Sequence, residues 1–271
     1  MHYKQKCIDV KQFIYYNNNI RYKEEILGME QLTLQKELEV IRYLKENMHS
    51  LFYGSGSSRA VFGMDNKLCE MLNYSAPYPS VIKMSLGLGG FRQSRLEQNT
   101  YDHYAYTKLF ADIFARGSVL TLMEEVDTEY EFYGLYEDGC ADYILEGWHS
   151  EEDIENETEA YLDDKRMLED ALDTMWTLAE YLGETSDNAQ IGRNHKGNLV
   201  AYDYGFTPDR YCDEQTTRTS DYFSYGEEET DQFFDLLITT LEEAIAQERE
   251  ELEEEDFATL EHNYVDLVET N

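Results

Sequence analysis

Three short stretches carry residue types suited to phosphate and metal chemistry. The first is Tyr53-Gly54-Ser55-Gly56-Ser57-Ser58-Arg59-Ala60-Val61-Phe62. Glycine lets a turn come close to a phosphate, and successive backbone N–H groups can then point at it. The same residue types also build plain hairpin turns. The second is Val81-Ile82-Lys83, an apolar run closed by a lysine. A lysine in that place reaches phosphates across a cleft, or a carboxylate on a neighbouring helix. Glu97 and Asp102, in the helical stretch that follows, are the two acids that can pair with it. The third is Leu199-Val200-Ala201-Tyr202, which ends abruptly in Asp203-Tyr204-Gly205. An acid at the end of a buried strand can hold a metal, and it can equally be a turn residue.

The elements that must position these residues follow from periodicity. Leu34, Leu38, Ile41, Leu44 and Met48 recur at helical spacing. Residues 51–86 change character, and Ala60-Val61-Phe62 and Val81-Ile82 predict strands joined by turns. Helical spacing returns over 92–115 through Leu96, Tyr101, Ala105 and Leu109, and Val119 to Met123 reads as a buried strand. The acidic, Tyr-rich segment 127–161 is expected to hold a strand pair and a short helix. A helix is predicted over 162–182, with Leu168, Leu172, Met175, Ala179 and Leu182 on one face. After the Lys196-Gly197-Asn198 turn and a polar stretch at 207–230 comes a last amphipathic helix carrying Phe233, Leu236, Leu237, Leu241 and Ile245. Strands followed by helices give an α+β arrangement.

Composition narrows the partners. The chain has 271 residues and a formal net charge of −35, from 57 acidic against 22 basic residues. Such a surface repels nucleic acid and anionic membranes and favours a basic protein partner. Acidity is concentrated in 127–170 and 241–261. It serves either as a solvated surface or as an interaction face that imitates the spaced phosphates of DNA. The four cysteines have no CxxC pair, which argues against a zinc site or a disulfide scaffold. No apolar run approaches the ~20 residues of a membrane span, and the first residues lack a signal-peptide core. The expectation is a soluble protein of a reducing compartment, the cytoplasm.

In chain order, the Gly-rich turn, the VIK lysine, a helix acid, an apolar strand and the Asp-Tyr-Gly acid resemble the protein-kinase-like fold. The resemblance covers 51–126 and 162–206 and looks closest to divergent kinase-like proteins encoded by bacteriophages. It implies a bilobal α+β protein: an N-terminal helical extension (1–50), a small β-rich lobe (51–126), an acidic insertion (127–161) and a helical lobe with an acidic last helix (162–271). It implies ATP and Mg²⁺ as cofactors. Gly54, Ser55, Gly56 and Ser57 would cover the phosphates and Lys83 would contact them. Glu97 or Asp102 would hold the lysine, and Asp203 would chelate magnesium. Glu124 and Glu125 would lie at the hinge near adenine.

Two positions depart from the family. Its metal-binding Asn falls at Gln190 and its catalytic Asp at Thr185. A shifted loop would let Asp187 serve as base and Asn188 as metal ligand; without that shift the chain is a pseudokinase. The functions implied are phosphoryl transfer from ATP to a protein hydroxyl, or a catalytically inactive acidic protein, pseudokinase or DNA mimic, that engages a basic host or viral partner. A virion component is a third option.

Overall fold

Thr33 begins the first long element: its hydroxyl oxygen accepts the Lys36 backbone N–H, and helix α1 (Leu34–Glu46) follows with Leu34, Leu38, Ile41 and Leu44 buried. The computed structural model describes residues 30–56, 58–75, 78–86, 88–133, 145–182, 189–205, 228 and 230–249. A short strand β1 (Glu30–Gln31) precedes α1, and a single turn of helix, α2 (Met48–Leu51), leads into the hairpin β2 (Phe52–Ser55) and β3 (Arg59–Gly63).

The segment 51–86 is not strand throughout. Asp65 accepts the Leu68 backbone N–H at 2.8 Å and so caps a helix, α3 (Asn66–Met71). Cap and helix together were hidden by the brevity of the apolar pattern. Strand β4 (Ser80–Ser85), buried along its whole length, then carries Lys83.

Helix α4 (Leu88–Tyr104) stops before the predicted end at 115. A 3-10 turn (Ala105–Thr107) and Lys108 at φ 62° break it. Residues 109–111 are then claimed by strand β9 (Leu199–Asp203), through Ala111 N–H to Ala201 O at 2.9 Å and Ala201 N–H to Leu109 O at 2.8 Å. The Leu96 to Leu109 spacing therefore spans a helix and the strand-like stretch after it.

Strands β5 (Ile113–Arg116) and β6 (Leu120–Glu124) complete a six-stranded sheet of order β1-β5-β6-β4-β3-β2. All its pairings are antiparallel except that of β1 with β5. A second, three-stranded sheet joins β7 (Asp127–Tyr133), β8 (Gln190–Arg193) and β9 in that order. The 127–161 segment thus supplies one described strand, paired outside itself, together with helix α5 (Glu151–Glu155). Ser150 and Asp153 form a capping box at the start of α5.

Helix α6 (Glu159–Leu182) buries Met167, Leu168, Ala171, Met175 and Leu178. These pack with Ile191, Val200, Ala201 and Tyr204 in one of two apolar cores. The other core joins α1, β3, β4 and β6, and it also receives Phe234, Leu237 and Leu241. Those three lie on the last described helix, α7 (230–249). The 162–271 stretch, read as one helical lobe, is therefore shared: α6 packs with the second sheet, whereas α7 packs on the first core. The Phe62 and Phe234 rings meet edge to face at 6.4 Å.

Candidate functional site

Arg59, Lys83, Glu97 and Asp203 come together from β3, β4, α4 and the end of β9. Sheet register explains the two cations. Arg59 lies opposite Ser85 and Val61 opposite Lys83, so Arg59 and Lys83 are diagonal neighbours on one face. Helix α4 brings Glu97 to them by a close approach at its start. A side chain on Gly90 would sit 2.2 Å from the Ser58 carbonyl oxygen, so only glycine admits that contact. Gly205 does the same at the other side, where a side chain would meet the Gln93 carbonyl at 2.3 Å.

The Arg59 guanidinium forks onto Glu97, with Nη1 to Oε2 at 2.5 Å and Nη2 to Oε1 at 2.9 Å. Its Nη2 also donates to Asp203 Oδ1 at 2.6 Å. Gln93 Nε2 donates to the same Oδ1 at 2.8 Å, and the Ser58 hydroxyl donates to Gln93 Oε1. Lys83 Nζ donates to the Tyr202 carbonyl and lies 3.5 Å from Glu97 Oε1. The Tyr204 backbone N–H donates to that oxygen as well, at 3.2 Å. Arg59 and Glu97 are buried, while the Asp203 side chain keeps 27% of its surface exposed.

Two cations and two anions balance, and their titration follows. Burial would lower Arg59, but Asp203 and Glu97 more than reverse it and leave the guanidinium raised. Lys83 is lowered, first by burial and then by the charge of Arg59 beside it. Burial pushes Asp203 up, yet Arg59 and Lys83 outweigh it and hold the carboxyl below its ordinary range.

Of the two acids considered for Lys83, Glu97 is the partner. Asp102 instead takes Arg116, at 2.5 Å. Gly54 and Ser55 lie in β2 and Gly56 at the hairpin tip, where its N–H donates to Arg59 O at 2.9 Å. A side chain on Gly54 or Gly56 would meet nothing within 4 Å, so space adjoins the turn. Gln190 starts β8 directly opposite Asp203 in the register. Ser57, Thr185, Asp187 and Asn188 lie outside the described residues.

Glu124 belongs to a second polar cluster. It accepts from His195 Nδ1 and from the backbone N–H of Asp112 at 3.2 Å. Asp112 accepts from Tyr78 at 2.6 Å and Tyr101 at 2.8 Å, and the Tyr78 ring stacks on His195 with centroids 3.6 Å apart. Glu125 follows β6, and burial raises its carboxyl.

Arg59 and Gln93 are the residues that sequence reasoning passed over. A signal existed for Arg59: a G-x-G-x-x-G-x-V loop aligned on Gly54, Gly56 and Val61 has its third glycine at residue 59. For Gln93 there was none.

Magnesium requires near-octahedral oxygen ligation at about 2.0–2.1 Å. Here Asp203 Oδ1 is already engaged by a guanidinium and an amide, and Glu97 is forked to the same guanidinium. Gln190 is neutral. Among the described residues no group of three His, Cys, Asp or Glu is placed to hold a metal. The described side chains leave a magnesium ion one oxygen, Asp203 Oδ2, with the Arg59 guanidinium on the same carboxylate, and so do not by themselves form a magnesium site.

No protein-family model matches the chain, and no curated protein matches its sequence. Among the described residues no helix is long and apolar enough to cross a membrane.

Proposed function

We propose that this chain is a divergent kinase-like protein that binds a nucleotide, ATP by the resemblance, between its first sheet and the β8–β9 hairpin. The observation that carries the reading is the convergence of Lys83, Glu97 and Asp203 from three separated elements. A lysine on a strand, an acid on the adjoining helix and an acid ending a hairpin strand are the parts that a kinase-like phosphate site requires. The strand order β2-β3-β4-β6-β5 is compatible with the β-rich lobe of that fold. Lys83 and the Gly54–Gly56 turn are assigned to the phosphates. Transfer to a protein hydroxyl needs a base. The candidate, Asp187, lies outside the described residues, so the reading is one of binding.

Thermal unfolding with and without ATP tests it. A ligand at a hundredfold excess over its dissociation constant stabilises by about 2.7 kcal/mol. A rise in Tm that Lys83→Met removes sustains the reading. An unmoved Tm at millimolar ATP ends it.

A second reading is favoured by one surface. Glu151, Glu152, Glu155, Glu159, Glu169 and Asp173 are exposed along α5 and α6. Lys165 and Arg166 are the only basic residues from 150 to 182. Arg166 is already turned to Asp163, at 2.9 Å. Such a face suits a basic protein partner, whose affinity would fall steeply with salt. A complex equally tight at 50 and 500 mM salt (about 14 and 4 Å of Debye length) would sink it.

A further inference from the structure

We propose that Arg59 is the resident cation of this cleft, taking the place of a divalent metal beside Asp203, so that a nucleoside polyphosphate is bound without magnesium. The inference rests on the nucleotide-binding reading above, and it turns on which atom does what. In a kinase-like cleft the carboxylate that ends the hairpin strand is joined to phosphate through a cation. In this chain that carboxylate already touches one: Nη2 of Arg59 is 2.6 Å from Asp203 Oδ1.

The guanidinium is fixed there by construction. Its fork onto Glu97 is bidentate, at 2.5 and 2.9 Å, and both groups are buried. Bidentate pairing of this kind sets direction as well as energy. Gln93 holds Asp203 from the other side, at 2.8 Å, and is itself held by the Ser58 hydroxyl, one residue before Arg59. The acid and the arginine are therefore tied to each other directly and through Gln93.

Donor counting leaves room for a ligand. A guanidinium has five N–H donors, and the bonds to Glu97 and Asp203 use three of them. The two others lie on opposite edges of the guanidinium, one on Nη1 and one on Nε. The Nε–H, on the same edge as the Nη2 donor to Asp203, is the group assigned to a phosphate oxygen entering beside Gly54 and Gly56, where space adjoins the turn. Lys83 is not the cation at Asp203: its ammonium donates to the Tyr202 carbonyl and faces Glu97, which leaves its third N–H donor for the phosphates, whereas the ion pair to Asp203 is made by Arg59. A dication at Asp203 would have to displace the guanidinium or sit against it, and either arrangement opposes like charge in a partly buried place.

The experiment measures ATP affinity by calorimetry in EDTA and in excess Mg²⁺, and Mn²⁺ binding by electron paramagnetic resonance without nucleotide. Wild-type protein, Asp203→Asn and Arg59→Ala are compared at physiological salt, which screens the exposed acids from Mn²⁺. The expected result is the same ATP affinity, within about twofold, in EDTA and in Mg²⁺. Arg59→Ala should lose on the order of tenfold in EDTA, the effect of one charge-assisted hydrogen bond. It should recover with Mn²⁺, which then has a vacated carboxylate to bind. Loss of wild-type ATP binding in EDTA overturns the proposal.

Absence of ATP binding under both conditions refutes the nucleotide reading, and the Mn²⁺ arm then decides the role of Arg59 alone. Wild type and Asp203→Asn holding equal numbers of Mn²⁺ ions sustain it. One more ion in wild type than in Asp203→Asn overturns it. That comparison also stands if Arg59→Ala fails to fold.

Discussion

Glu97 accepts three different groups with one carboxylate: the Arg59 fork, the Lys83 ammonium and the Tyr204 backbone N–H. Removing it as Glu97→Ala leaves two cations sharing the single charge of Asp203 in a buried place. Breaking one partner out of a buried charge pair typically costs about 3–5 kcal/mol. Urea denaturation should show a loss of that size, and a change under 1 kcal/mol would mean the network is not formed in solution. Asp203 gives a pH signature. Its carboxyl is held below the ordinary value of 3.8 by Arg59 and Lys83 against the opposing effect of burial. Its contribution is therefore present above the unfolded value and is lost as pH falls through the lower folded value. Asp203→Asn should flatten the part of the stability profile below pH 4, read as Tm against pH, while a profile parallel to wild type would contradict the pairing. Tyr204 points the other way. Its ring is buried, and its hydroxyl has no hydrogen-bond partner among the described residues. Leaving such a group buried costs about 1–3 kcal/mol, so Tyr204→Phe should raise Tm. A fall would reveal a partner for the hydroxyl.

Between β5 and β6 the turn is closed from a distance. Glu37, fully buried on α1, accepts the backbone N–H groups of Ser118, Val119 and Leu120 at 3.0, 2.7 and 2.9 Å. One carboxylate satisfies three donors that the tight turn cannot pair internally, and it fastens α1 to the sheet. Glu37→Ala leaves those donors stranded at roughly 1–3 kcal/mol each. Chemical denaturation should show a loss of several kcal/mol, with Glu37→Gln milder because one oxygen remains; a neutral Glu37→Ala would refute the anchor. Nothing in the sequence marks Glu37, which stands among solvated acids of the same type and becomes special only through a contact 81 to 83 residues away. Elements were legible where periodicity ran long, as in α1 and α6, or where an apolar run stood alone, as in β6 and β9. They were illegible where a cap decided, as with Asp65 and α3, or where a distant strand captured the chain, as with residues 109–111. The site divides in the same way. Lys83, Glu97 and Asp203 stand in recognisable order, but an arginine beginning an apolar strand carries no local sign of the two carboxylates that will face it.

At the scale of the molecule, charge and connectivity dominate. A net charge of −35 on 271 residues repels itself, and salt relieves that repulsion. Tm should rise between 10 and 200 mM NaCl, over which the Debye length falls from about 30 to about 7 Å. A flat response would show that the acids are paired across the surface rather than solvated. The first core is closed by both ends of the described chain. Arg42 of α1 pairs with Glu242 of α7, 200 residues away, and Lys45 reaches Asp235 at 2.6 Å across 190. Phe234, Leu237 and Leu241 fill the apolar face between them. A ribosome delivers the chain in order at about 5–20 residues per second. The N-terminal sheet therefore waits on the order of 10–40 seconds between the emergence of α1 and that of α7. Through that interval Phe62 and its neighbours lack their cover, so a chain released early would present an oily, unfinished face to chaperones and proteases. Only a polypeptide read through α7 can complete its first core, and that helix acts as a seal of quality on the sheet made before it.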